Sequence, residues 1–349
     1  MSGGVDSSVA AVLLQEQGHE VIGATMKIWP SQLCGQERGR LCCSLRDIDD
    51  ARKVCARLNI RHYVLNLEND FHNKVIDYFA DEYLSGRTPN PCIVCNEKIK
   101  FGSLLKKAEG LDCGFIATGH YARIEKNSSY RLKEAVDKTK DQSYVLFSIK
   151  QSKLKKILFP IGALTKNDVR GKARASGLNV YDKPDSQEIC FVPDNEYANF
   201  IKKHRRLTSL KGNIINASGK ILGQHMGFWN FTIGQRRGMG ISNKTPLYVT
   251  EIRPKHNVVV VGESKNLKKK RFMARHVNWL ISLPKNKIDL EVKIRYNHRK
   301  SLASIRRIGR CDAEINFKEP QEAITPGQAA VFYDGEYVAG GGWIETVFN

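Results

Sequence analysis

The chain has 349 residues, 41% of them hydrophobic, with 56 Lys and Arg against 36 Asp and Glu and a formal net charge of +20. That length accommodates two or three domains and a buried core, which excludes a disordered tail. No run of about 18 consecutive apolar residues occurs, and the sequence opens MSGGVDSS rather than with a charged and apolar leader, so a soluble cytoplasmic protein without a membrane span is expected.

The charge is uneven, about +4 over residues 1–200 and about +16 over the remainder. Basic clusters such as Lys202, Lys203, Arg205 and Arg206, then Lys268 to Arg271, then Arg295, Arg299, Lys300, Arg306, Arg307 and Arg310 suit a phosphate-bearing partner, with solubility as the bland alternative. Nine cysteines stand at positions 34, 42, 43, 55, 92, 95, 113, 190 and 311. This odd, scattered set favours thiol chemistry or metal over a disulfide framework, with most of the cysteines ordinary buried residues.

In chain order, Val9 to Gln17 predicts a helix ended by Gly18, and Glu20 to Trp29 a strand. Arg46 to Leu58 predicts a helix, Tyr63 to Leu67 a strand, Phe71 to Leu84 a helix and Gly114 to Thr118 another strand. This alternation predicts an α/β domain with a doubly wound, mostly parallel sheet. After about residue 205 the texture changes to short strands punctuated by glycine turns, so one or two small β domains follow, with a break near 264–271.

Ser2, Gly3, Gly4, Val5, Asp6, Ser7 and Ser8 stand directly before the first helix. Two glycines permit close backbone approach, and a helix N-terminus aims N–H groups and a positive dipole end at an anion. The stretch lacks the Lys-Ser/Thr of a GxxxxGK[ST] loop, so it predicts a pyrophosphate cradle rather than a site that transfers a terminal phosphate. A strand is expected ahead of such a loop, and here the loop follows Met1 directly.

NPCIVCNEKIKF, residues 90–101, carries Cys92 and Cys95 two residues apart. On its own it reads as half a metal site, a redox dithiol or a pair of sulfur-carrying thiols. Cys190 between Ile189 and Phe191 reads, alone, as a core cysteine. Gly234-Gln235-Arg236-Arg237-Gly238 reads equally as a phosphate grip or a tight turn.

SGGVDSS resembles the signature of the PP-loop ATP pyrophosphatases. Further stretches, ATGHYAR (117–123), KDQSYVLF (140–147), DSQEICFV (185–192), GFWNFTIGQRRGMGI (227–241) and TPGQAAVFYDGEYVAGGGWIE (325–345), resemble, together with TPNPCIVCNEKIKF, the tRNA-specific 2-thiouridylase (MnmA) family over essentially the whole chain. The resemblance implies a PP-loop catalytic domain at 1–204, a central β-rich domain at 205–268 and a C-terminal, tRNA-binding β-barrel at 269–349. The activity it implies is ATP-dependent replacement of the C2 oxygen of the wobble uridine, position 34 of tRNA, by persulfide sulfur.

On that resemblance Cys95 is the nucleophile and Cys190 the persulfide carrier, the two able to close a disulfide, with thiolate character lent by cations such as Lys98 or Lys183. ATP is held by Ser2 through Ser8, Met26 and Gly119, with Mg²⁺ assisted by Asp6. tRNA contacts are implied at Asn90, Pro91, Cys92, His120, Lys140, Asp141, Gln142, Ser143, Arg295, Tyr296 and Gln328. Many relatives carry aspartate where this chain has Cys92, so Cys92 stands either as a substitute acid/base group or, with Cys95 and Cys190, as a ligand of a [4Fe–4S] cluster with one open iron. Structural zinc, with Cys42 and Cys43 completing the set, is a third reading. The partners implied are the anticodon stem-loop of tRNA, with Glu, Gln and Lys acceptors, and a cysteine desulfurase or sulfur-relay protein. A PP-loop ligase acting on a small metabolite and an RNA-binding protein without catalysis are the competing functions.

Overall fold

The first helix, α1 (Val5–Glu16), is apolar almost all round and buries Val5, Val9, Ala10, Ala11, Val12 and Leu14. It stops where Gly18 adopts φ +82° and the N–H groups of Gly18 and His19 return to the carbonyls of Gln15 and Leu14. The computed structural model describes residues 1–28, 45–184, 189–192, 196–282 and 286–348. Cys34, Cys42, Cys43 and the DSQE stretch at 185–188 lie outside them.

Two units make up the molecule: residues 1–75, 92–195 and 336–338 form one, and residues 76–91, 196–335 and 339–349 the other. In the first, β1 (Gly23–Lys27), α2 (Leu45–Arg57) and β2 (His62–Asn66) follow α1, and β1 pairs with β2 in parallel from Gly23↔His62 to Lys27↔Asn66. A second parallel pair joins Ile116–Ala117 to Ile157–Leu158. Parallel pairing demands crossovers: α2 supplies the first, and the second carries an antiparallel hairpin, Ala122–Lys126 with Tyr130–Glu134, and two short 3-10 turns. Met1 lies along β1: its amino group donates to the Ala24 carbonyl, and Thr25 Oγ1 donates to the Met1 carbonyl at 2.9 Å.

The core of this unit gathers Val5, Val9, Ala10 and Val12 of α1, Val54 of α2, and Val169 and Ala173 of helix Lys166–Ala175. That last helix is started by a reciprocal cap between Thr165 and Asp168. Predicted elements shift at their ends. The helix expected at Phe71–Leu84 begins at Glu68 and includes a wide turn at His72–Ile76, and the strand expected at Glu20 begins at Gly23.

In the second unit, Gly212–Asn216, Ile221–His225, Tyr248–Arg253 and Val258–Gly262 form a four-stranded sheet in which 212–216 runs parallel to 258–262 and the other pairs are antiparallel. Six further strands, Lys268–Trp279, Lys287–Lys293, Ser301–Ile308, Asp312–Glu322, Ala329–Asp334 and Tyr337–Val347, close a barrel when the first meets the last. Closure needs glycine: Gly340 has φ +155°, and a side chain there would come within 2.6 Å of the Asn278 carbonyl oxygen. Phe272, Val292, Ile305, Ile315, Phe317 and Phe332 fill the interior. Among the described residues no helix is long and apolar enough to cross a membrane.

Candidate active site

Helix α1 starts earlier than predicted. Val5 to Ser8 are helical rather than loop, with Gly4 as the N-cap and no side chain capping the first turn. The serines explain the extension. Ser7 Oγ and Ser8 Oγ donate to the Gly4 carbonyl at 3.2 and 2.9 Å, and Ser7 Oγ also accepts from the Ser2 N–H at 3.1 Å. Ser8 is therefore buried and committed internally. What remains for an anion is the uncapped first turn, whose N–H groups have no partner within the helix.

Two glycines shape the space around that turn. Gly3 has φ +67°, and a Cβ there would lie 2.4 Å from the Asp47 carbonyl oxygen. A Cβ at Gly119 would lie 2.6 Å from Asp6 C and Ser7 N, so the ATGHYAR loop packs directly on the start of α1. The sequence alone places Gly119 more than a hundred residues away from that helix. Met26, half-buried in β1, pairs with Leu65 across the parallel ladder.

Asp6, expected to assist Mg²⁺, has two protein partners. Its Oδ1 accepts from Lys166 Nζ and from Tyr121 Oη, each at 2.8 Å, and its Oδ2 accepts from Lys166 at 3.0 Å. As placed, Asp6 is the partner of a nearly buried ammonium. Sequence reasoning missed Lys166 and Tyr121. Tyr121 had a signal in its position within ATGHYAR, whereas Lys166 had none.

Lys183, expected to favour a thiolate, has another assignment. Its Nζ donates to the Gly3 carbonyl at 2.9 Å and pairs with Asp47 and Asp50 at 2.7 Å each. Burial pulls its pKa down, but the hydrogen bonds and charges of the two aspartates outweigh that and raise it. Lys183 thus ties the glycine turn to α2. Lys98 pairs with Glu97 at 2.5 Å.

His120 is buried between Phe101 and Phe159. Its Nε2 faces Lys100 Nζ at 3.3 Å, and an ammonium can only donate, so Nε2 accepts and Nδ1 carries the proton toward Thr118 Oγ1 at 2.7 Å. Burial first, and the Lys100 charge second, hold its pKa well below the ordinary value of 6.5.

The adjoining 140–143 run divides between support and surface. Asp141 and Ser143 are buried, with Asp141 accepting from the Ala135 N–H at 2.9 Å and from Ser143 Oγ at 2.7 Å. Burial raises the Asp141 pKa against those hydrogen bonds. Gln142 Oε1 accepts from the Tyr121 N–H at 3.0 Å, which holds the residue after His120. Lys140 and Gln142 remain half-buried, so these two carry what the run presents outward.

The thiols of Cys92, Cys95 and Cys190 belong to the first unit, and none is in a disulfide. Cys92 is exposed, and Cys95 and Cys190 are half-buried. Cys95, expected at a loop or loop edge, instead opens a wide helix, Cys95–Leu104, after a short turn begun by Pro91, whose missing N–H suits a first helical position. Asn96, only 2% exposed, fixes that helix by donating Nδ2 to the Val145 carbonyl at 3.0 Å. Phe191, beside Cys190, packs edge-on against Phe71 with centroids 5.7 Å apart. Among the described residues the three sulfurs do not gather within 4.8 Å of one another. The zinc reading also draws on Cys42 and Cys43, which lie outside the described residues.

In the second unit, Gln328 lies on the Pro326-Gly327 turn, and its Nε2 donates to the carbonyls of Thr88 and Pro89 at 3.0 and 3.3 Å. These residues lead directly into Asn90, Pro91 and Cys92. Arg295 and Tyr296 are both exposed, Arg295 donating to the Glu322 carbonyl at 3.1 Å and the Lys293 ammonium standing 5.9 Å from the Tyr296 ring centroid. Gly234 to Gly238 forms a tight turn, with Gln235 Oε1 accepting from the Thr232 N–H and Arg236 and Arg237 exposed. Arg205 is drawn onto Asp77 and Asp81 at 3.0 and 2.6 Å, which removes it from the basic surface.

Three family models match the chain in order: a tRNA methyl transferase HUP domain over residues 1–194, a tRNA methyl transferase PRC-barrel domain over 198–263 and an aminomethyltransferase beta-barrel domain over 269–344. The expected architecture, a PP-loop α/β domain followed by a β-rich middle domain and a β-barrel, is the observed one. The chain is 50% identical to the tRNA-specific 2-thiouridylase MnmA of Geotalea uraniireducens over 100% of this chain and 94% of that protein. It is 48% identical to the protein of the same name from Clostridioides difficile, over 99% and 96%, and 49% identical to that from Carboxydothermus hydrogenoformans, over 99% and 96%. The chain belongs to the MnmA family of tRNA-specific 2-thiouridylases.

Proposed function

We propose that the protein is a tRNA-uridine 2-sulfurtransferase that uses ATP to convert the wobble uridine, position 34, to 2-thiouridine. The observation that carries this reading is an uncapped helix N-terminus behind a glycine turn in the same unit as two half-buried thiols, Cys95 and Cys190. In this reading residues 1–204 perform the chemistry, 205–268 form the central domain and 269–349 hold RNA.

The first step joins the uridine C2 oxygen to the α-phosphorus of ATP and expels pyrophosphate, which the first turn of α1 receives. Mg²⁺, if bound with the ATP phosphates, would offset their charge. The terminal sulfur of a Cys190 persulfide then attacks C2, the C2–O bond breaks and AMP leaves. The Cys95 thiolate attacks the Cys190 sulfur, the bond to the substrate sulfur breaks, and 2-thiouridine departs with a Cys95–Cys190 disulfide left behind. An external dithiol reduces that disulfide, and a cysteine desulfurase or relay protein reloads Cys190. A target base in an anticodon loop must be splayed out to be reached. Exposed Cys92 sits at the entry to the Cys95 helix, where the family resemblance implies a carboxylate in many members, and among the described residues its sulfur does not gather with those of Cys95 and Cys190.

Cys190→Ser and Cys95→Ser test the relay. Both variants are expected to release pyrophosphate from ATP in the presence of tRNA yet form no 2-thiouridine in a reconstituted reaction. Full thiolation by Cys190→Ser sinks the reading. Iron and acid-labile sulfide measured after anaerobic purification test the cluster alternative, and stoichiometric iron would replace the two-thiol relay.

A further inference from the structure

The helix that starts at Cys95 has a second face, which borders a basic recess. Glu97, Lys98, Phe101, Gly102, Ser103 and Lys106 line a recess of about 230 Å³, whose remaining wall is Lys74, Ser148, Ile149, Lys150 and Lys153. All of these residues belong to the first unit. Five ammonium groups therefore surround the recess against one carboxylate. Lys74 is matched by Asp70 at 2.7 Å and Lys98 by Glu97 at 2.5 Å, while Lys153 Nζ donates to the Phe101 carbonyl at 2.5 Å, which carries no net charge. Burial first, and the Lys150 charge second, lower the Lys153 pKa, the direction expected of a cation crowded by cations.

A second, independent observation points to a ligand. Ser148 is 7% exposed, and its Oγ has no hydrogen-bond partner. A buried hydroxyl without a partner is unfavourable, and turning about the Cα–Cβ bond would bring this enclosed Oγ from the wall to an anion's oxygen in the recess. The recess is smaller than pockets that take a whole drug-sized ligand, about 300 Å³ and upward. It also offers ammonium donors and a hydroxyl in place of an array for reading a base edge. That combination suits one phosphate with its flanking sugar, gripped without regard to sequence.

We propose that this recess binds a backbone phosphodiester of the RNA substrate. The proposal rests on the reading that RNA is the substrate, and Lys98, three residues from Cys95 on one helix, would set the register of the strand relative to the nucleophile.

The test uses the full chain and a wobble-uridine tRNA, with affinity measured by fluorescence anisotropy over a series of KCl concentrations. Lys98→Ala/Lys150→Ala removes two exposed charges and is expected to weaken binding about tenfold at moderate salt and to flatten the log–log salt slope by about one unit, as loss of a phosphate contact does. Ser148→Ala alters no charge and is expected to weaken binding about threefold, the worth of one hydrogen bond, with the slope unchanged. ATP affinity should be unaltered in both. An unchanged affinity and slope in the double-lysine variant overturns the site. A lysine effect without any Ser148 effect overturns it in favour of a diffuse basic surface. Absence of tRNA binding by the unmodified chain overturns the substrate reading and the recess with it.

Discussion

Gln328 Nε2 donates a 3.0 Å hydrogen bond to the carbonyl of Thr88, 240 residues away in sequence. The same turn brings Gly327, at φ +89°, so close that a Cβ would lie 2.9 Å from the Thr88 nitrogen and oxygen. The Thr88 N–H in turn donates to the Pro326 carbonyl at 2.9 Å. The Pro-Gly-Gln turn therefore holds the backbone that enters Asn90, Pro91 and Cys92. Gln328→Ala and Gly327→Ala are expected to lower single-turnover thiolation by about tenfold, the result of losing one or two hydrogen bonds worth about 1 kcal/mol each. ATP affinity, read by calorimetry, should stay at its wild-type value in both variants. Gln328→Glu, which sets carboxylate oxygens against two carbonyls, should be worse than Gln328→Ala.

Gly119 and Gly4 make a contrast on the nucleotide side. A methyl at Gly119 meets Asp6 C and Ser7 N at 2.6 Å, whereas at Gly4 the nearest atom is Ser2 Oγ at 3.5 Å. Gly119→Ala should shift the start of α1, cost about 1–3 kcal/mol of stability as overpacking does, and weaken ATP binding at least tenfold. Gly4→Ala should leave the urea midpoint within error of wild type.

His120 predicts a pH dependence of stability. Its folded pKa lies below 6.5 because burial, then the Lys100 charge, disfavours the imidazolium. Below about pH 6.5 the unfolded chain binds a proton that the folded chain does not, so this contribution is complete above 6.5 and is lost as pH falls. The slope per group cannot exceed about 1.4 kcal/mol per pH unit. His120→Gln should show a smaller difference in urea midpoint between pH 7.5 and pH 5.5 than wild type. An equal difference assigns the acid sensitivity to His62, His225 and His298, whose pKa values burial also lowers.

Arg87 bridges two carboxylates in the second unit. Its Nε donates to Glu82 at 2.8 Å and its Nη1 to Glu345 at 2.6 Å. Burial opposes the charge, but the two glutamates outweigh it and raise the pKa. Arg87→Ala leaves both partly buried carboxylates without a counter-charge and should cost about 2–3 kcal/mol in equilibrium unfolding. Arg87→Lys should recover less than half of that, because an ammonium lacks the planar fork that spans two acceptors.

Much of the candidate site is legible in local sequence chemistry. Glycines and small polar residues ahead of an apolar helix specify an anion-receiving turn wherever they occur, and cysteine pairs declare their reactivity by type. Strand and helix alternation reveals the α/β domain because its hydrophobic period is a property of neighbouring residues. The same locality misleads at Cys95 and at Val5 to Ser8. Flanking Asn-Pro and Gly-Gly look like loop, yet proline suits a first helical position and serine hydroxyls bond back to a helix's opening carbonyl.

The sequence by itself thus determined the α/β order, the glycine turn, the thiols and the basic bias of the C-terminal half. Tertiary structure alone decided that Lys166 neutralises Asp6 across 160 residues, that Lys183 serves the glycine turn rather than a thiol, and that Gln328 holds the Thr88 backbone. The physical reason is that an ion pair or hydrogen bond between distant segments leaves no period or spacing in the chain. It exists only once the packing of apolar faces has fixed which polar groups meet, and only then does each buried charge or donor acquire the partner it requires.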